Sequence, residues 1–322
     1  MNEEALEAFV SSFGLKRPRI NTEDRIRYRV DSVTEVIQYL LSGIAMGSIY
    51  SLVALGFCIM WATSETVNFA QGDSVMLGAI LGVTFCVDMG WPIWLGMAVI
   101  IILCSLFGIG LERVAIRPFR GISDIGWMLS TIAIGIIIRN IAMVTFGRYD
   151  RPFPTALVKQ PIYIGGAGVY PQEILIPIIA LGLMVGIEVF HKKTKFGSAL
   201  RAVAYNRDAA GLMGINVNLM ISFSYALATS MAGIAGFIVA PVILASAYMG
   251  LLVGLKGFAV AIIGGITSPR GTILAGFAYG VLEKFVAGYF STAAREITAF
   301  FLVILILLVS PQGIFGGKNR GA

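Results

Sequence analysis

The stretch Lys192-Lys193-Thr194-Lys195-Phe196-Gly197-Ser198-Ala199-Leu200-Arg201-Ala202-Val203-Ala204-Tyr205-Asn206-Arg207-Asp208-Ala209-Ala210-Gly211-Leu212-Met213-Gly214-Ile215-Asn216 decides how the chain is read. It is a polar interval between two long apolar regions, with five Lys or Arg residues and a single acid, Asp208. Ser198 is a candidate N-cap for one short helix and Asn206 for a second. Gly214 stands where a helix needs a left-handed stop. The interval therefore reads as two short helices joined at Asn206 and held at a membrane surface. Such a loop either docks a partner or only fixes orientation through its positive charge.

Composition explains why a membrane enters the reading. The chain of 322 residues is 57% hydrophobic and 13% charged, where soluble domains carry about 25% charged residues. Its mean hydropathy is +0.85. Too few polar side chains are present to cover a water-facing surface. The apolar runs are continuous rather than alternating, which indicates an all-α integral membrane protein and not a barrel. The net charge of +6 comes from basic residues flanking apolar blocks, so membrane lipid and not nucleic acid is the expected partner. Cys58, Cys86 and Cys104 all lie inside apolar runs and read as small buried hydrophobes.

Residues 1–35 form a charged N-terminal segment with no secretion-signal pattern. Leu6, Phe9, Val10 and Phe13 have the spacing of a short interfacial amphipathic helix. Lys16, Arg17, Arg19, Arg25, Arg27 and Arg29 follow and argue for a cytoplasmic N-terminus. Nine apolar blocks come next, at about 36–61, 74–88, 92–111, 127–146, 171–190, 217–240, 251–266, 271–290 and 297–310. Arg113, Arg117 and Arg120 place the loop after the third block inside. With the N-terminus also inside, one of the first three blocks must be broken or re-entrant, and 65–88 is the candidate. The expectation is about eight transmembrane helices plus that segment, in one membrane domain over 36–317, with the C-terminus inside at Lys318 and Arg320. The loop 147–170 reads as irregular and external, either touching a partner or merely connecting. Four Gly-x-x-x-Gly pairs, at Gly43/Gly47, Gly78/Gly82, Gly182/Gly186 and Gly276/Gly280, permit close helix approach.

Little in the chain can carry chemistry. Gly316-Gly317-Lys318-Asn319 fails the Walker A pattern at its last position. His191 stands beside Lys192 and Lys193 as an interfacial residue. No metal-ligand spacing or nucleophile–base pair is legible, so the chain is not expected to be an enzyme or to bind a cofactor itself. Intramembrane polar groups are the remaining pointers, because each is costly unless satisfied. Asn68-Phe69-Ala70-Gln71-Gly72-Asp73 is the densest cluster. It reads as a solvated loop, or as a break that turns Asn68, Gln71, Gly72 and Asp73 towards a translocation pathway. Arg139-Asn140 and Glu283-Lys284 are expected to reach an interface by snorkelling, although a buried Asp73 would need a partner such as Arg139.

Several motifs together resemble the permeases of branched-chain amino acid ABC importers. Arg201-Ala202, Asn206-Arg207-Asp208-Ala209-Ala210 and Gly214-Ile215-Asn216 are similar to that family's coupling loop. Asn68-Phe69-Ala70-Gln71-Gly72-Asp73 resembles its Asn-Phe-Ala-His-Gly-Glu-like segment, with Gln71 for His and Asp73 for Glu. Gly47-Ser48-Ile49-Tyr50-Ser51-Leu52, Gly257 to Ile266 and Ser310-Pro311-Gln312-Gly313-Ile314-Phe315-Gly316 match further blocks in order. The Asn-Phe-Ala-x-Gly segment points to the shorter of the family's two paired permeases. The resemblance implies a multi-pass protein of the bacterial inner membrane with both termini cytoplasmic. It implies a second homologous permease subunit, two ATPase subunits that hold the ATP and magnesium, and an extracytoplasmic substrate-binding protein. The ATPase contact would fall on the loop 191–216, through Gly197, Arg201, Ala202, Asn206, Asp208, Ala209, Ala210 and Gly214. Branched-chain or related amino acids are the implied substrates, with urea, short amides or aromatic acids as variants. A self-sufficient secondary transporter or channel for a small neutral solute is the alternative. Such a transporter usually shows ionisable relays or an inverted repeat; this chain offers one carboxylate candidate, Asp73, and no clean internal repeat.

Overall fold

The computed structural model describes residues 22–120, 124–158, 160–164 and 166–316. The amphipathic segment 6–13 and the basic residues Lys16, Arg17 and Arg19 lie outside the described residues. Eleven α-helices make up the described chain, with one two-stranded hairpin. Helix α1 (Thr22–Ser64) runs unbroken through the boundary drawn at residue 35. After a non-helical interval come α2 (Gln71–Gly82), extended by a π-helical turn over Val83–Asp88, and α3 (Ile93–Leu111), extended likewise over Glu112–Ile116. Helices α4 (Asp124–Phe146) and α5 (Pro171–Lys193) flank the loop 147–170. The short helices α6 (Lys195–Tyr205) and α7 (Arg207–Leu212) lead into α8 (Val217–Ile243), α9 (Met249–Gly264), α10 (Pro269–Tyr289) and α11 (Thr292–Val309). The segments containing α1, α3, α4, α5 and α8 are long and apolar enough to cross a membrane.

Helix α1 is the central post, packed against α10, α8, α9 and α5. Its sequence allows this because two glycine pairs meet. A Cβ on Gly47 would strike the Gly276 carbonyl and one on Gly280 would strike the Gly47 backbone, so α1 and α10 touch backbone to backbone. Gly78 approaches Gly233 in the same way, fastening α2 to α8. A Cβ on Gly182 or Gly186 meets nothing within 4 Å, so that expected close approach is not made among the described residues. The three cysteines are free, and Cys58 shares a hydrogen bond with Thr272 at 3.0 Å.

The helix ends define two sides. Thr34 near the start of α1 lies beside Gly166, and Ser42 donates to Glu173 at 2.8 Å. At the other end Arg207 donates to the Thr63 carbonyl at 2.9 Å. So α1 enters from the side of loop 147–170 and leaves at the side of α6 and α7. The next segment begins at Glu65 beside Arg207 and ends at Asp88, which accepts from Arg151 at 2.8 Å. It is broken, as expected, and runs from the side of α6 and α7 to the side of loop 147–170. The expected cytoplasmic N-terminus lies outside the described residues. Arg25, Arg27 and Arg29, read as flanking charges, fall within the first turns of the long helix α1. Arg120 bonds to Asn218 and Gly313 lies beside Gly265, both on the side of α6 and α7, while Lys318 and Arg320 lie outside the described residues. Loop 147–170 is less irregular than its glycines and prolines suggest. Ile162–Ile164 pairs antiparallel with Ala167–Val169, and Arg151 forms a backbone bridge with Ala245.

Candidate functional site: a broken helix and the loop that holds it

The loop 191–216 is built much as its sequence dictates, with one correction. Thr194, not Ser198, caps α6, accepting from the Gly197 amide at 2.9 Å. Asn206 caps α7 by accepting from Ala209 at 2.9 Å. Gly214 takes the left-handed conformation, at φ +83°. Arg201, Asn206, Asp208, Ala209 and Gly214 are exposed. Ala210 is buried, Ala202 is half-buried, and Gly197 lies against the Phe190 carbonyl and His191. Those three therefore pack the loop onto its own body. The large apolar side chains Tyr205, Leu212 and Met213 are 82%, 90% and 84% exposed, and the sequence reading had passed over them.

Arg207 connects this loop to the break. Besides its bond to the Thr63 carbonyl, its guanidinium stands 3.2 Å from the Glu65 carboxylate. Glu65 sits at φ +54°, a conformation that L side chains seldom adopt. A run of hydroxyls then carries the chain into the bundle. Ser64 and Thr66 share a hydrogen bond at 2.6 Å, Thr66 and Tyr225 one at 2.7 Å, and Thr63 and Ser224 one at 2.7 Å. Tyr225 is fully buried. Beside these, the buried Glu112 accepts from Arg117 at 2.9 and 3.2 Å and from Ser222 at 2.7 Å, tying the end of α3 to α8. Burial pushes the nearby Arg120 guanidinium below its ordinary value, against the opposing pull of Glu112.

The four expected pathway residues lie together on the chain but point to different helices. Asn68, Gln71 and Asp73 are buried, and so is the backbone of Gly72. The Gln71 amide donates to the Ala228 carbonyl of α8 at 2.9 Å. Gly72 allows contact with Gly250 and Gly254, where α9 begins. Asp73 accepts from Arg139 of α4 at 2.8 Å. Gly72 and Asp73 are thus engaged in holding the bundle. Asn68 accepts from the Ala70 amide at 2.9 Å, which leaves its Nδ2 without a partner, as are Gln71 Oε1 and Ser74 Oγ. Three unmet polar atoms within seven residues form the most concentrated unspent hydrogen-bonding capacity in the described bundle.

Two expectations for charged groups are overturned. Arg139 does not snorkel, since its side chain is 14% exposed and paired with Asp73. Glu283 is buried and accepts from Lys256 at 2.8 Å, linking α9 and α10. A charge at membrane depth is more stable paired than stretched towards distant water. Lys256, a lone cation inside an apolar block, was the signal that the sequence reading missed. Among the described residues no group of His, Cys, Asp and Glu has the arrangement of a metal site.

Comparison with known proteins follows the same lines. The family described as "Branched-chain amino acid transport system / permease component" matches residues 39–310. The high-affinity branched-chain amino acid permease protein BraD of Pseudomonas aeruginosa is 32% identical over 87% of this chain and 95% of its own length. The LivH permease protein of Escherichia coli is 29% identical over the same shares. The ribose import permease protein RbsC of Haemophilus influenzae is 23% identical over 85% of each chain.

Proposed function

We propose, from the premise that this chain belongs to the branched-chain amino acid transport permease family, that it forms the translocation pathway of an ATP-driven importer for branched-chain or related amino acids. A second permease subunit, two ATPase subunits and an extracytoplasmic binding protein complete the assembly, in a bacterial cytoplasmic membrane. ATP and magnesium belong to the ATPases, and this chain hydrolyses nothing.

The observation that carries this reading is the platform made by α6 and α7. It leaves Tyr205, Leu212 and Met213 in the open at one end of the bundle, uncovered by the protein core. Exposed apolar groups rimmed by charge mark a docking surface. A secondary transporter would have no need of one. Asn68, Gln71 and Ser74 are the pathway groups in this proposal, offering a donor, an acceptor and a hydroxyl to a passing zwitterion or to water. In this reading Gly72 and Asp73 position them without touching substrate.

The test is reconstitution of the chain with its candidate partners in proteoliposomes. Uptake of labelled leucine, isoleucine or valine should require ATP and the binding protein. Uptake by the permease chain alone would favour the self-sufficient transporter. ATP-driven uptake of ribose or urea but not of leucine would keep the importer and change its substrate.

A further inference from the structure

A cavity of about 790 Å³ opens at the coupling-loop side, between α1, α5, α6 and the start of α10. Its walls are mainly apolar, with Leu55, Cys58, Leu181, Val185 and Ile273 among them. Charge is confined to Glu188, Lys192, Arg201 and Arg270, with His191 beside them. Glu188 accepts from Lys192 at 2.6 Å and from Arg270 at 2.8 Å, so one carboxylate is shared by two cations. Arg201 adds a third cation, donating to Ser198 at 3.2 Å. Three fixed positive charges therefore face one negative charge.

We infer that this cavity is a binding site for an anionic phospholipid of the adjoining leaflet. The polarity of the walls matches a charged head and a long apolar tail. Lys192, Arg201 and Arg270 supply the charge that a phosphodiester headgroup lacks. The apolar walls lead from them into the membrane, beside Leu181 and Val185, which are 45% and 57% exposed on a helix apolar enough to span a bilayer. An amino acid zwitterion does not fit this pattern. Its two charges would both lie at the charged end, and the apolar remainder of the space would stay empty. Basic pockets between membrane helices take acidic headgroups for the same reason. Because the site touches α6, an occupying lipid would brace the coupling loop from the membrane side.

The test uses the full transporter complex in nanodiscs, of phosphatidylcholine alone or mixed equally with phosphatidylglycerol. Lipids retained after gentle detergent extraction are counted by native mass spectrometry. Phosphatidylglycerol should be retained over phosphatidylcholine. The double variant Lys192→Gln with Arg270→Gln should lower that retention roughly tenfold or more, on the scale that membrane-proximal cations contribute. Ala62→Trp, which fills the cavity and leaves its cations intact, should lower it as well. The assignment is overturned if both lipids are retained equally, or if neither variant changes retention. It is also overturned if a cysteine at 185 cross-links to another subunit, since protein would then be the occupant.

Discussion

Arg139 and Asp73 are 66 positions apart in sequence and joined by one hydrogen bond of 2.8 Å, the only ion pair between α4 and α2 among the described residues. Helix α4 is otherwise lightly attached, with Thr131 reaching the Phe69 amide at 3.4 Å. The pair therefore fastens an outlying helix to the start of the helix that follows the break.

Removing one partner of this pair strands the other at membrane depth. Asp73→Asn or Arg139→Gln should each destabilise the protein by about 3–5 kcal/mol, the scale for a broken buried pair. The apolar exchange Asp73→Leu with Arg139→Met should recover most of that loss. Thermal unfolding of all variants in detergent decides it. A double variant as unstable as the worse single one would show that the two charges do not depend on each other.

Arg207 should matter more than its ion pair suggests. The contact with Glu65 is solvent-facing, with Glu65 74% exposed, and pairs of this kind contribute about 0–1 kcal/mol. The charged bond to the Thr63 carbonyl contributes about 1.5–3 kcal/mol. Arg207→Ala should therefore depress ATP-driven uptake far more than Glu65→Gln does, while ATPase subunits still co-purify. Equal effects of the two substitutions would remove Thr63 from the account.

The glycine pairs separate positions that pack backbone to backbone from positions that face open space among the described residues. A side chain at Gly78 or Gly236 must enter the backbone of Gly233 or Val75. Gly78→Leu and Gly236→Val should abolish accumulation of folded protein. Gly182→Leu and Gly186→Leu should leave the folded monomer intact, because no described residue lies within 4 Å of a Cβ there. Size-exclusion of each variant with and without its partner subunits reads both effects. A monomer lost in the Gly182 variant would contradict the open face.

Periodicity and composition made the helical bundle legible, since an apolar run of span length has few other fates. The loop was legible from Asn206 and Gly214, whose chemistry is local. Thr194 was missed because Ser198 offers the same hydroxyl four residues later, and only the backbone geometry selects between them. The length of α1, 43 residues, was not legible because charge counts carry no information on where a helix starts. The pairs Asp73–Arg139 and Lys256–Glu283 were unreadable as pairs. Each depends on how two helices rotate about their axes, which is set by glycine contacts far along the chain.

Asn68→Leu tests the pathway reading directly. It removes an Nδ2 that has no partner in the resting fold, so the stability lost should be limited to the bond from Ala70. If that amide serves the substrate during passage, its loss should slow flux roughly 5- to 150-fold, the effect of about 1–3 kcal/mol at the rate-limiting step. Basal ATP hydrolysis should persist. Wild-type flux in reconstituted vesicles would return Asn68 to a purely structural role.

The Lys256–Glu283 bond also bears on how the chain is made. Helix α9 has only 16 residues and carries a lysine near its middle; an unpaired lysine there opposes insertion by about 2.5–3.5 kcal/mol. Helix α10 brings the compensating carboxylate 27 positions later, across a tight turn at Gly265. Neither helix is well suited to leave the translocon alone, so the two should partition into lipid together as a hairpin, their charges already neutralised. A nascent chain truncated just after α9 should then fail to integrate where one carrying both helices succeeds, and the bond would serve biogenesis before it serves the finished transporter.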